Sequence, residues 1–343
     1  MDEMTLLRTI REDVNGPTLE ELAPVREAIV YGVNKRRPLQ RRRALRRAGW
    51  TGLGVAVVGG IAVAVVATNV FGFGGYSGGA APAAAAALHR VAVATIHTSD
   101  PVFAPGQYLK VATTMVGGVD NVDASGHSVP YLVKGTETLY IPADRTAVWT
   151  LVAPLAEPYK TFGPESAKVA EQDYQSEFKD SPDGDGTLHA KGGAFRGVEP
   201  TVTPTTLAAT PRDPQKLLAY IYQETAGQGS SPDDSVLVYI GDTLASGIVP
   251  ADLRAAFYET LALVPGVEIS DNNATLDGRT GIAFGRTDTH LNVRNEIIVD
   301  PASGLLIGHA IVTLPNTKWL GGFPVNTAVE WSAVETSVVD SAP

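Results

Sequence analysis

Six histidines are the first residues to consider, because imidazole is the usual general base and metal ligand near neutral pH. They stand at His89, His97, His127, His189, His290 and His309. No two are four residues apart, so the helical zinc pattern with paired histidines is missing. His309 falls inside the apolar run Leu305–Leu314 and reads as a strand residue held by a hydrogen bond. There is no cysteine, which removes disulfides, thiolate nucleophiles, Cys-ligated zinc and iron–sulfur clusters. Asp183-Gly184-Asp185-Gly186 opens like a calcium loop, but the twelfth position holds Ala194. A bidentate Glu is needed there, so the stretch reads as a tight turn. Gly75-Tyr76-Ser77-Gly78-Gly79 spells G-x-S-x-G, which makes a nucleophile elbow only between a strand and a helix. Here it lies in Gly/Ala-rich sequence. Asn273-Ala274-Thr275 is a lone glycosylation sequon. Carboxylates are plentiful, and a two-carboxylate hydrolase would set a pair about 5–9 Å apart, a pairing that sequence does not reveal. The reading is a protein that is not an enzyme and holds no cofactor or metal.

The elements around these residues say where the chain sits. Trp50 to Phe71 is one uncharged stretch rich in Val, Ala, Ile and Gly. About 20 residues at ~1.5 Å rise match a hydrocarbon core of roughly 30 Å. Just before it stand Lys35, Arg36, Arg37, Arg41, Arg42, Arg43, Arg46 and Arg47, with no acidic residue among them. A basic flank stays on the cytoplasmic side and is attracted to anionic lipid. Residues 1–50 carry 11 Lys+Arg against 7 Asp+Glu, and residues 51–87 carry no charge. The rest carries 16 basic against 30 acidic residues, which argues against nucleic-acid binding. The expectation is a cell-membrane protein, single-pass, with its N-terminus in the cytoplasm and an extracytoplasmic C-terminal domain. A cleaved export signal is the alternative. Arg41-Arg42-Arg43-Ala44-Leu45-Arg46 loosely matches a twin-arginine pattern and Ala81-Pro82-Ala83 a small-x-small cleavage site. Against this, the apolar run exceeds the 7–15 residues of a signal core. Gly52, Ala56, Gly60 and Ala64 recur every four residues, a small-residue row through which two such helices could form a homodimer.

Organisation follows. Residues 1–49 are a cytoplasmic segment, with two short helices over residues 1–33 and the arginine-rich run after them. The second carries Leu22, Val25 and Ile29 on one stripe, suited to docking on a cytoplasmic partner. Residues 50–71 are the transmembrane helix, 72–87 a Gly/Ala linker, and 88–343 the outer domain. That domain should open with a short helix from Leu88 to about Thr98. Strands are expected at Gln107–Val116, Thr138–Ile141 and Thr146–Val152, then long loops around one or two short strands from Pro154 to Pro204. Helices are expected at Gln215–Thr225, Val236–Leu244 (capped by Asp233/Asp234) and Leu253–Leu263. A meander closes the chain: Val267–Ser270, Thr280–Gly285, Arg294–Val299, Leu305–Leu314 and Val325–Val334. Its turns fall at Leu276-Asp277-Gly278-Arg279 and Asp300-Pro301-Ala302-Ser303-Gly304. In the last strand Val325, Thr327, Val329 and Trp331 alternate with Asn326, Ala328, Glu330 and Ser332, which reads as one buried and one wet face. The fold class is α+β: a curved, half-barrel-like antiparallel sheet with helices on one face, preceded by a single transmembrane helix.

Several segments also carry a family resemblance. Asp213-Pro214-Gln215-Lys216-Leu217-Leu218, Leu253-Arg254-Ala255-Ala256-Phe257-Tyr258, Leu263-Val264-Pro265-Gly266-Val267, Asp277-Gly278-Arg279-Thr280-Gly281-Ile282-Ala283 and Ile298-Val299-Asp300-Pro301-Ala302-Ser303-Gly304-Leu305-Leu306 occur in this order. So do the opening Met1-Asp2-Glu3-Met4 and Gly106-Gln107-Tyr108. Together they resemble an actinobacterial family of single-pass membrane proteins often encoded beside extracytoplasmic-function sigma factors. The resemblance is thinnest over residues 120–205. It implies an outer domain like the half-barrels of lipoprotein carriers and sigma-regulator sensors, and it transfers no catalytic residue. The resulting expectation is a non-enzymatic bitopic sensor or regulator, anti-sigma-like, with an apolar ligand or peptide outside and a sigma factor as cytoplasmic partner. The alternative is a membrane-anchored lipid or lipoprotein carrier without a signalling role.

Overall fold

The structure, a computed structural model, describes residues 78–98, 100–121, 126–179, 186–198 and 200–343. Ten antiparallel strands form one open sheet. They are β1 (Tyr108–Val119), β2 (Tyr131–Pro142), β3 (Val148–Val152), β4 (Glu157–Thr161), β5 (Thr187–Lys191), β6 (Glu268–Leu276), β7 (Arg279–Asp288), β8 (Val293–Val299), β9 (Leu306–Thr313) and β10 (Ala328–Val339). Their order is β5-β3-β2-β1-β10-β9-β8-β7-β6, with β4 also paired to β2. The first and last strands lie side by side, from Tyr108 opposite Val339 to Gly117 opposite Glu330. That central ladder joins an N-terminal limb to the C-terminal meander.

The helices are α1 (Pro82–Ile96), α2 (Pro164–Lys179), α3 (Pro204–Ala209), α4 (Pro214–Glu224), α5 (Pro232–Ala245) and α6 (Ala251–Leu261). Proline just inside the helix start is a recurrent signal here, because its missing N–H needs no partner there. Three such helices are capped by the residue before: Thr203 accepts from Thr206 N, Asp213 from Lys216 N, and Ser231 from Asp234 N. Asp233 and Asp234, expected as caps of α5, instead occupy its first turn, where the helix dipole favours them. Both also meet Arg286 of β7.

Period-two alternation puts one set of strand residues on each face of the sheet. Phe284, Ile297, Val299 and Val334 join the main core with α1 and α3 to α6. Their neighbours Ala283, Ile298 and Ala333 point the other way, into a second apolar cluster with Val116, Val329 and Trp331. Phe323 and Leu320 of the β9–β10 connection and Phe162 after β4 complete that second cluster. The expected wet face of the last strand holds at Asn326 and Glu330, which are exposed, and ends at Ser332. Ser332 is 8% exposed and Val334 4%, because the helices cover the side that alternation alone assigns to water.

Three segments differ from expectation. The helix expected from Leu88 begins at Pro82, inside the expected linker, because Ala84 and Ala87 are fully buried along with Leu88 and Val91. The Pro154–Pro204 region contains α2 besides β4 and β5. Pro164, inside the stretch expected as loops, is the start of that helix. Helix α3 is a third difference, in a stretch where no helix is expected, and the remaining elements fall where expected, within several residues at their ends. The Asp277-Gly278 turn is confirmed by φ values of +46° and +79° with Leu276 opposite Arg279, the hairpin geometry that Asp-Gly favours.

The expected transmembrane helix at 50–71 lies outside the described residues. Among those that are described, no helix is long and apolar enough to cross a membrane.

Candidate functional site

The clearest cluster of reactive groups lies on the helix-covered face, at the end of α5. Gly241 makes it possible. A Cβ there would stand 3.3 Å from Ile297 Cγ2 and 3.7 Å from His309 Cβ, so the helix rides close to β8 and β9. The next residue, Asp242, is thereby brought to His309, with Oδ1 3.9 Å from Nδ1. On the other side of the ring, His309 Nε2 lies 3.3 Å from Ser332 Oγ. His309 is register partner to Ser332, and Ser332 to Met115. Directly opposed residues share a face, so Met115, Ser332 and His309 form a row across β1, β10 and β9. Glu330, two residues along β10, faces the same way.

The carboxyls of the cluster are partly desolvated. Asp242 is 54% exposed along its side chain, yet desolvation pushes its carboxyl above the usual range against the pull of His309. Glu330 is raised for the same first reason, with His309 opposing and Asp242 reinforcing. Both carboxyls nevertheless remain open to water. Further along the same face, Glu137 of β2 is 3% exposed and its Oε2 has no hydrogen-bond partner. Burial raises it to about 8, so near neutral pH it is an uncharged acid able to donate a hydrogen bond.

Ser332, His309 and Asp242 follow the Ser–His–Asp order of acyl transfer. The geometry is not that of a working triad. At 3.9 Å the Asp242–His309 contact exceeds hydrogen-bond range, and His309 Nδ1 is buried without a partner. Ser332 sits mid-strand, laddered on both sides, rather than on a strand-to-helix corner with its N–H free for an oxyanion. Nor does the cluster ligate metal: among the described residues no three His, Asp or Glu side chains group to hold an ion. What it can do is receive a basic or hydrogen-bonding group beside Met115.

Of the residues singled out from sequence, only His309 belongs to this cluster. Arg36, Arg37, Arg41, Arg42, Arg43, Arg46, Arg47, Gly52, Ala56, Gly60, Ala64, Leu22, Val25 and Ile29 lie outside the described residues, as do Asp183, Asp185 and Gly75 to Ser77. Asp242, Glu330, Ser332 and Glu137 carry no sequence motif. The only available signal was strand parity, which puts Glu330 and Ser332 on one face.

No family model matches the chain and no curated protein is similar to it. Among solved structures it is similar to the complex of Pseudomonas aeruginosa MucA and MucB, at 9% identity and a TM-score of 0.22 over 76% of this chain. It spans 58% of that chain, under two thirds of its length. A DUF1329 family protein from Desulfovibrio piger shows 10% identity and a TM-score of 0.17, over 74% of this chain and 92% of the other. Likenesses this weak carry no argument about fold or role, and the actinobacterial resemblance rests on the residues quoted for it.

Proposed function

We propose that the chain is a single-pass envelope protein whose half-barrel-like outer domain binds a ligand or peptide and reports its occupancy to a cytoplasmic regulator, in the manner of an anti-sigma sensor. The carrying observation is the partition of the sequence at residues 34–71, with an arginine collar, an apolar run and a packed domain close behind. Helix α1 begins at Pro82, and residues 72–77 between the run and the described domain reach roughly 20 Å when extended. The domain is thus tethered close to the bilayer surface. The cluster of Asp242, His309 and Glu330 is the ligand site in this reading, and it performs no chemistry. Signalling requires the ligand to favour one of two states by its differential affinity. The cytoplasmic stripe Leu22, Val25 and Ile29 would receive the sigma factor.

Two measurements test this. The chain has no cysteine, so single-site labelling maps topology cleanly: Val102→Cys should react with an impermeant maleimide in intact cells, and Val30→Cys only after lysis. The reverse pattern ends the proposal. Capture of the full-length chain from membranes should then recover a sigma factor or polymerase component, with loss of that partner in Leu22→Arg. Recovery of neither removes the signalling half.

One observation favours the carrier alternative. The second apolar cluster, around Trp331 and Phe323, is covered by a connecting segment instead of helices, a cover that an acyl chain could displace. That reading predicts lipid co-purifying with the protein and unchanged function on deletion of residues 1–33.

A further inference from the structure

We propose that Arg145, in the β2–β3 turn, anchors an oxyanion-binding site that takes a carboxylate or phosphate group through a bidentate pairing with the guanidinium. The inference stands apart from the sensor reading and rests on different residues. All three guanidinium nitrogens of Arg145 are buried and none has a hydrogen-bond partner. Its guanidinium carbon lies 4.8 Å from the centroid of the Phe103 ring, so an aromatic face holds the group while its N–H edges have no acceptor. Five donors without an acceptor is a state that folded proteins rarely leave, and a buried, unpaired charge opposes folding. An oxyanion on the guanidinium fork relieves both at once.

The backbone beneath is rigid. Arg145 O accepts the Trp149 indole N–H at 3.0 Å. The ring of Trp149 is packed against Gly193, whose φ of +80° and lack of a Cβ allow an approach that any side chain would block at 2.5 Å. The turn is closed by Ala147 N donating to Asp144 O and Gly192 N to Ala147 O. The adjacent carboxylate is already engaged: Asp144 accepts from Thr146 N and Oγ1 at 2.9 and 2.8 Å. Burial draws the guanidinium down to about 10, with no neighbouring acid opposing it. Access lies through Phe103. Its flanking residues Val102 and Ala104 to Gly106 are exposed, Val102 at 93%, so the half-buried ring is the cover between the guanidinium and solvent.

Calorimetric titration of the full-length chain in neutral detergent, at constant ionic strength set by sodium chloride, tests this with inorganic phosphate and with acetate. Saturable binding is expected. It should weaken roughly ten- to a hundredfold in Arg145→Gln and tighten in Phe103→Ala, where the cover is gone. Tighter phosphate assigns a phosphate-bearing ligand and tighter acetate a carboxylate, and either result upholds the site. If Arg145→Gln does not fold, Arg145→Lys, which keeps the charge but loses the fork, is read the same way. No saturable binding of either anion by the parent and by Phe103→Ala overturns the proposal. So does an arginine variant that binds as tightly as the parent.

Discussion

On one face of the sheet Phe284 and Ile297 are buried with α5, whose start Ser231 caps, and α6. On the other, Ala283 and Ile298 are equally buried in a cluster with no helical member, completed by Phe323 and Leu320 of an irregular connection. That connection is fitted rather than folded. Phe323 meets Phe162 edge-on at 5.4 Å, and Gly118 leaves room for Leu320 Cδ1, which a Cβ there would meet at 2.6 Å. The contrast teaches that equal burial can rest on unequal supports. Helices bring their own hydrogen bonds to a sheet, whereas a connecting segment depends on a few side chains seated in gaps.

Single substitutions on the two faces should expose the difference. Phe284→Ala is expected to cost about 4 kcal/mol, because α5 cannot collapse into the hole. Phe323→Ala should cost about 3 kcal/mol or less, since its segment can settle. Urea unfolding followed by tryptophan fluorescence gives both, and equal losses would erase the contrast.

The polar end of the helix-covered face supplies the next effect. Glu137 keeps its proton in the folded state up to about 8 and loses it near its ordinary value when unfolded. The unfolded chain therefore binds fewer protons across that interval. The stability this group contributes is complete below its ordinary value of 4.5 and is lost as pH rises to about 8, at up to ~1.4 kcal/mol per pH unit. Glu137→Gln should flatten that slope and stabilise the protein most at the alkaline end. A parent protein with the same slope as the variant would show that Glu137 is hydrated. The smallest test compares supports. Ser231→Ala removes the cap of α5 and should cost about 1 kcal/mol. Ser128→Ala removes a 2.7 Å bond to Asp120 beside the connection and should cost under ~0.5 kcal/mol, as exposed positions do. Both can be read from the same unfolding curves.

Much of this architecture is legible in the sequence. Asp277-Gly278 marks its hairpin and Asp213-Pro214 the start of α4, while the caps Thr203 of α3 and Ser231 of α5 emerge only in the structure. What escapes is governed by tertiary contact. Helix α2 is polar on average, and its Ala170 is buried where the helix packs back on the sheet, with Ser166 Oγ donating to Pro130 O just before β2. The start of α1 is all alanine, which reads as linker until something packs on it. Parity sets Glu330 and Ser332 on one face but does not say what covers that face. The meeting of Asp242 with His309 joins residues far apart in sequence through the close approach at Gly241.

The way the chain enters the described domain has a mechanical consequence. Ala80 N donates to Ala262 O at 3.1 Å and Ala81 N to Val267 O at 2.8 Å, and the far end of α1 is held where Thr95 Oγ1 donates to Gly304 O and Thr98 Oγ1 to Ser303 O. A pull from the N-terminal side therefore loads the corner between α6 and β6 before any strand ladder feels tension. Under force the helical layer should peel first and leave the sheet intact, so the corner at Ala262–Val267 acts as the fuse of the fold.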